Sequence, residues 1–183
     1  MKACLMRFFM PLLFLFFLTG CADLRIIPET ADDRPLEGNR IAIFPFHDPS
    51  YNGQRIAGIG RPFAAVFTKK LRAAGLQAEF QNCDDFSPAS ATDIGMACRF
   101  ASDNGYAMFA TGTVTEWVDG ATSWSGKVDV ASVTVRLYST ETCQVLRAVS
   151  GRQQGAWFTL VDEPTTRFYE PLSESLVTGL LKR

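Results

Sequence analysis

At Tyr106 the hydrophobic period of this chain changes from that of a helix to that of a strand, and the change divides the fold into two halves. Upstream, Phe63, Val66, Phe67 and Leu71 recur at helical spacing, and Ile94, Ala97, Cys98 and Ala101 repeat the pattern. Each set is a single apolar stripe that has to be laid on a sheet. Pro62 fits the first turn of the first helix and Gly75 its end. Ser90, with Asp93 three residues on, reads as a relative of the capping box for the second helix, which Gly105 ends. The run Ile41-Ala42-Ile43-Phe44-Pro45-Phe46 lacks polar alternation and predicts a strand covered on both faces, with a second short strand over Leu76–Gln81.

From Tyr106 onward the period is two. Tyr106–Trp117 and Val128–Tyr138 read as strands, with Val133, Val135 and Leu137 toward one face and Thr134, Arg136 and Tyr138 toward the other. A turn over Ser139–Cys143 and a returning strand over Val145–Gln153 make a hairpin. Leu172, Leu176 and Leu180, after Pro171, mark a final helix. The expected order is β-α-β-α-β-β-β-α. That is an α/β (α+β) domain with a mixed sheet of about five strands and three helices. The helices are expected largely on one side, because the later antiparallel strands need only one covered face.

The first 39 residues follow other rules. Lys2 and Arg7 precede an apolar run from Phe8 to Leu18, broken only by Pro11. A bilayer-spanning helix needs about 20 such residues, so the layout is that of a secretory signal. Leu18-Thr19-Gly20-Cys21 places two small residues before a cysteine and resembles the bacterial lipoprotein signal, which implies that Cys21 becomes the lipidated first residue. Three acyl chains, at about 0.8 kcal/mol per buried methylene, would make attachment effectively permanent. Ala22, where an aspartate would resemble the inner-membrane retention signal, points to the outer membrane and its periplasmic face. The expected organisation is a signal peptide over 1–20, a lipidated cysteine and flexible tether over 21–39, and one α/β periplasmic domain over 40–183. A tether of that length spans roughly 23–25 Å as a random coil.

Loss of Lys2 and Arg7 lowers the basic count from 18 to 16 against 19 acidic residues, a net charge of −3. That balance carries no electrostatic footprint for nucleic acid. Cys83, Cys98 and Cys143 remain beside the anchor. In an oxidising periplasm a Cys83–Cys98 disulfide with Cys143 left over is one reading, and three buried thiols the other. No C-x-x-C or paired Cys/His spacing occurs, so neither a metal nor a cofactor is expected.

Three stretches are candidate sites. The first gathers Trp117, Asp119, Thr122, Trp124 and Ser125 between two strands. Exposed aromatics beside short polar groups suit stacking on sugars or anchoring a protein, whereas the same residues also describe a well-packed loop. In the second, Asn52-Gly53 and Gly58-x-Gly60 precede a helix, but Phe63 stands where a dinucleotide fingerprint needs its third glycine and there is no Gly-Lys-Ser/Thr. Close turns explain these glycines better, leaving Arg55 and Arg61 as an anion or partner surface. The third is His47, the sole histidine, just past the first strand and without a G-x-S-x-G partner motif, so a strand-end role is expected. Asp84-Asp85 and Asp162-Glu163 sit in polar loops where solvation is the default. No catalytic residue is expected.

The element order, the I-A-I-F-P-F strand and the long Gly-rich entry to the first helix resemble the small α/β domain of several envelope lipoproteins. These are of the curli-secretion, penicillin-binding-protein-activator, Pel-polysaccharide ring and TolB amino-terminal types. Trp117-x-Asp119-x-Ala121-Thr122-x-Trp124-Ser125-Gly126, followed by Asp129, the hairpin, Gly151, Trp157 and Pro171-Leu172, is similar to a second group. It is a domain-of-unknown-function family of proteobacterial lipoproteins with a W-E-D-R-A-T-x-W-S-G segment. Val118 stands here for the glutamate and Gly120 for the arginine, so no role resting on those two charges is implied. Together these features predict a non-enzymatic, lipid-anchored protein that meets other envelope proteins, with self-assembly open. The alternative is a glycan- or peptidoglycan-binding protein using Trp117, Trp124 and Trp157.

Overall fold

The computed structural model describes residues 24–31, 35–36, 38–82, 91–118, 128–155 and 165–182. In chain order these form β1 (Leu24–Ala31), β2 (Arg40–Ile43), β3 (Ser50–Tyr51), β4 (Gln54–Arg55), α1 (Gly60–Ala73) and β5 (Gln77–Phe80). Then follow α2 (Ala91–Asp103), β6 (Met108–Val118), β7 (Val130–Ser139), β8 (Val145–Gln154), a 3-10 turn (Thr165–Phe168) and α3 (Tyr169–Leu181). Among the described residues no helix is long and apolar enough to cross a membrane.

Six strands make one mixed sheet in the order β1-β8-β7-β6-β2-β5, and β3 and β4 form a small hairpin of their own. Apart from β1, the two halves of the sequence are the two halves of the sheet. β2 pairs in parallel with both β5 and β6, whereas β6, β7, β8 and β1 pair antiparallel. Val133, Val135 and Leu137 are buried in the main core, and Leu172, Leu176 and Leu180 of α3 meet that face beside Phe63, Phe67 and Leu71 of α1.

α2 lies on the opposite face. Its Ala97, Cys98 and Ala101 cover Ala42, Phe44, Phe109 and Tyr138. The reason is topological. A parallel crossover is right-handed almost without exception. The chain moves one way across the sheet from β2 to β5 and the other way from β5 past β2 to β6. Two right-handed crossovers in opposite directions put their helices on opposite faces, so the expectation of helices largely on one side holds for α1 and α3 alone.

Two further expectations are corrected. Residues 24–31 belong to the segment expected as a tether, yet they pair with β8 from Leu24↔Gln153 to Ala31↔Arg147 as the sixth strand. Ile26 packs against the main core, and an edge of β8 would otherwise leave its backbone groups unpaired. Cys98 is bonded to Cys143 and not to Cys83, with Cα atoms 5.8 Å apart. Because α2 crosses the second face, its inward cysteine lies over the end of β7, where Cys98 Sγ also reaches the Thr140 carbonyl at 3.4 Å. Cys83 lies outside the described residues.

Candidate functional site: the loop before the first helix

The chain leaves β2 through Phe44, Pro45 and Phe46 and stays with the sheet one residue longer. The His47 N–H donates to the Gly112 carbonyl at 2.7 Å, and the Val114 N–H donates to the His47 carbonyl at 2.9 Å. His47 is half-buried at this strand end. The loop then turns through the hairpin of β3 and β4. Asn52 and Gly53 adopt φ of 50° and 78°, the left-handed pair that a two-residue hairpin turn needs. Ile56 N–H closes the loop onto the Pro49 carbonyl at 2.9 Å.

Asp48 organises everything after it. Its carboxylate is 6% exposed and takes five donors. The Ile59 and Gly60 N–H groups donate to Oδ1 at 2.9 and 2.6 Å. Gly58 N–H donates to Oδ2 at 3.2 Å, and the Arg55 guanidinium reaches the same oxygen through Nε at 3.0 Å and Nη2 at 2.8 Å. Ile59, the residue at the cap position of α1, supplies no side-chain cap, so Asp48 caps the helix from eleven residues upstream. Burial pushes its pKa up, but the Gly60, Arg55, Ile59 and Gly58 hydrogen bonds outweigh that and hold the carboxyl below its usual value. The fit is close enough to dictate the residue at position 60. A Cβ there would collide with the Phe46 carbonyl oxygen.

This geometry decides the reading of the glycine-rich loop. A phosphate cradle needs free N–H groups at the helix start. Here the protein's own carboxylate takes them, and Arg55, expected as an anion surface, neutralises Asp48. Arg61 is half-buried in the first turn of α1.

The far side of the loop meets the end of β6. Tyr51 Oη accepts the Trp117 N–H at 2.8 Å. The Trp117 side chain is buried at 6% exposure, and its ring lies 5.3 Å from that of Tyr169, which in turn meets Phe63 at 5.6 Å. Burial, and then the charge of Asp48, push the Tyr169 phenol above its ordinary pKa. A ring so placed closes the core and offers no face to a ligand. Stacking would therefore fall to Trp124, which with Asp119, Thr122 and Ser125 lies outside the described residues, as do Cys21, Asp84, Asp85, Trp157, Asp162 and Glu163.

Asp48, Tyr51 and Tyr169 are the site residues that sequence reasoning missed. One signal was available for Asp48: the residue before Gly60 is isoleucine, and a helix start without Ser, Thr, Asp or Asn needs its acceptor from elsewhere.

A second polar cluster joins β2, β5 and the end of α2. Tyr106 Oη donates to Glu79 Oε2 at 2.7 Å and accepts from Gln81 Nε2 at 2.8 Å, while Arg40 donates to Glu79 Oε1 at 3.1 and 3.3 Å. Arg40 also lies over the Tyr106 ring at 4.5 Å. Concavities of about 340 and 310 Å³ lie elsewhere, one against Ile26 and Gly179, the other against Asn39 and Thr140. Among the described residues no three His, Cys, Asp or Glu side chains gather where a metal could sit.

The fold is shared with known structures. The PelC dodecamer from Paraburkholderia phytofirmans matches at TM-score 0.63 and 16% identity, covering 89% of this chain and 99% of that one. A leucine-to-methionine variant of it matches at TM-score 0.64 and 15% identity, covering 89% and 100%. Lipoprotein GNA1162 from Neisseria meningitidis matches at TM-score 0.48 and 15% identity, covering 76% and 96%. No family model matches the chain, and no curated protein matches it in sequence. This chain has the PelC fold. The shared fold takes in 89% of this chain and the whole of the PelC variant.

Replacing Asp48 by alanine is expected to destabilise the domain by about 2–3 kcal/mol, since it removes a cap and leaves a guanidinium without its partner. The effect has a defined pH dependence. A carboxyl held below its unfolded pKa contributes stability above the ordinary carboxylate range and loses it as pH falls through the lowered value. The gap in melting temperature between the native and Asp48→Ala proteins should be full at neutral pH and close below about pH 4. A gap that persists unchanged into acid would show that the carboxylate is not the cause.

Proposed function

We propose that this protein is an outer-membrane lipoprotein, anchored through Cys21 and facing the periplasm, that works without catalysis. It acts by protein–protein contacts in envelope assembly or secretion and assembles with copies of itself. The observation that carries the reading is the correspondence in fold, over 89% of this chain, with a protein solved as a dodecamer. The Leu18–Cys21 segment supports the anchor. The committed state of the Asp48 carboxylate, with all five donors supplied by the chain itself, supports a scaffold over a hydrolase.

The test is the lipidated protein purified in detergent. Native mass spectrometry should find a closed multimer, and pull-down from crosslinked envelopes should find protein partners. A monomer that binds peptidoglycan or exopolysaccharide and no envelope protein would overturn this in favour of the glycan-binding alternative. Cys21→Ser should abolish palmitate labelling and leave the protein unprocessed or soluble. Continued fractionation of that variant with the outer membrane would remove the anchor from the reading.

A further inference from the structure

β1 begins with Leu24, three residues after Cys21. Consecutive residues advance at most about 3.6 Å, so the Cα atoms of Cys21 and Leu24 are no more than about 11 Å apart. If Cys21 carries the acyl chains, as proposed above, its backbone sits at the boundary between hydrocarbon and headgroups. One headgroup layer is roughly 5–7 Å deep. An eighteen-residue tether would have lifted the domain clear of that layer, but pairing of residues 24–31 with β8 removes most of its slack.

The place where β1 begins is an end of the sheet. Leu24 is opposite Gln153, Gln153 is opposite Ala131, and Ala131 is opposite Trp117. Val118 of β6, Val130 of β7 and Gln154 of β8 share the final register row. Two rows inward from it, one past Leu24, Arg25 stands directly opposite Arg152, on the face away from the main core. Like charges so placed repel each other. Glu116 holds one side of Arg152 at 3.2 Å.

We propose that this end of the sheet, marked by Leu24, Gln154, Val130 and Val118, faces the lipid headgroup layer, so that the domain stands on end on the membrane. Arg25 and Arg152 then lie within reach of headgroup phosphates, whose charge suits an opposed arginine pair. The ten residues of β7 run from this end for about 30 Å, and they carry the β7–β8 turn with Glu141 and the Cys98–Cys143 disulfide to the side farthest from the membrane. Protein partners that approach from the periplasm would meet that far end first.

The experiment uses the lipidated full chain in vesicles of phosphatidylethanolamine and phosphatidylglycerol with a nitroxide on the headgroup. A fluorescent non-natural side chain is placed at position 154 or at position 141. Quenching should be several-fold stronger at 154. Inserting a long Gly/Ser segment between Asp23 and Leu24 should lower it to the level at 141 while palmitate labelling stays intact. Equal quenching at the two positions in palmitoylated protein would overturn the standing arrangement and leave the anchor in place. Protein that carries no palmitate overturns both.

Discussion

Truncating Trp117 to alanine is expected to destabilise the domain by about 3–5 kcal/mol and to lower its melting temperature by roughly 10 °C or more. The indole is buried where β6 ends and α3 begins, against Tyr169, and Tyr169 carries the contact on to Phe63 of α1. Three elements therefore lose packing together. The Trp117 backbone N–H bonds to Tyr51 Oη and survives the substitution, so the loss reports the ring alone. Trp117→Phe should fall between the two. Thermal melts decide it: an alanine variant within about 0.5 kcal/mol of the native protein, as surface substitutions are, would put the ring outside the core and restore it as a binding residue.

Removing the Cys98–Cys143 disulfide is expected to destabilise by about 4 kcal/mol, the chain-entropy value for a loop closed across a separation of 45 residues. The loss should not be uniform. α2 is the only helix on its face among the described residues, and its buried contacts come from small side chains, Ala97, Cys98 and Ala101, with Ile94 beside them. Phe100 adds one edge-to-face contact with Phe44 at 5.7 Å. Little apolar area holds the helix down, and the disulfide ties it to the β7–β8 turn. In Cys143→Ser, or after reduction, amide protection in α2 should fall first while β6, β7 and β8 keep theirs. Unchanged protection in α2, together with an unchanged melting temperature, would mean that the small core suffices without the covalent link.

Where sequence reading succeeded, the cause was local. A period of two across Val133, Val135 and Leu137 buries those residues whatever lies beside them, and all three are at or below 1% exposure. Leu172, Leu176 and Leu180 on α3 are buried in the same way, at or below 2% exposure. The Asn52-Gly53 turn was legible because few residue pairs tolerate two consecutive left-handed conformations. The loop's chemistry was not. In the sequence Arg55 reads as an anion or partner surface, and only the fold sets Asp48, seven residues earlier, against it.

The misses share a different cause. Residues 24–31 contain Pro28 and show no period, so nothing local marks them as a strand. They pair because β8 leaves an open edge that something must cover. The disulfide partner of Cys98 depended on the face to which α2 was sent, and handedness of a crossover is a property of strand order rather than of residues in the helix.

By itself, then, the sequence determined most of the elements: three apolar stripes, the parallel-type strand β2, an antiparallel hairpin, and a cysteine placed as a lipoprotein signal places it. Hydrophobic period and turn chemistry act within a few residues, so they survive without neighbours. Only the tertiary structure decided which face α2 covers, that Cys98 meets Cys143, that Asp48 caps a helix eleven residues away, and that the expected tether is an edge strand. The Asp48 cap depends on how the loop after β2 folds back on itself; the other three depend on strand order, which brings together residues distant in sequence and is set by how the whole chain buries its apolar surface.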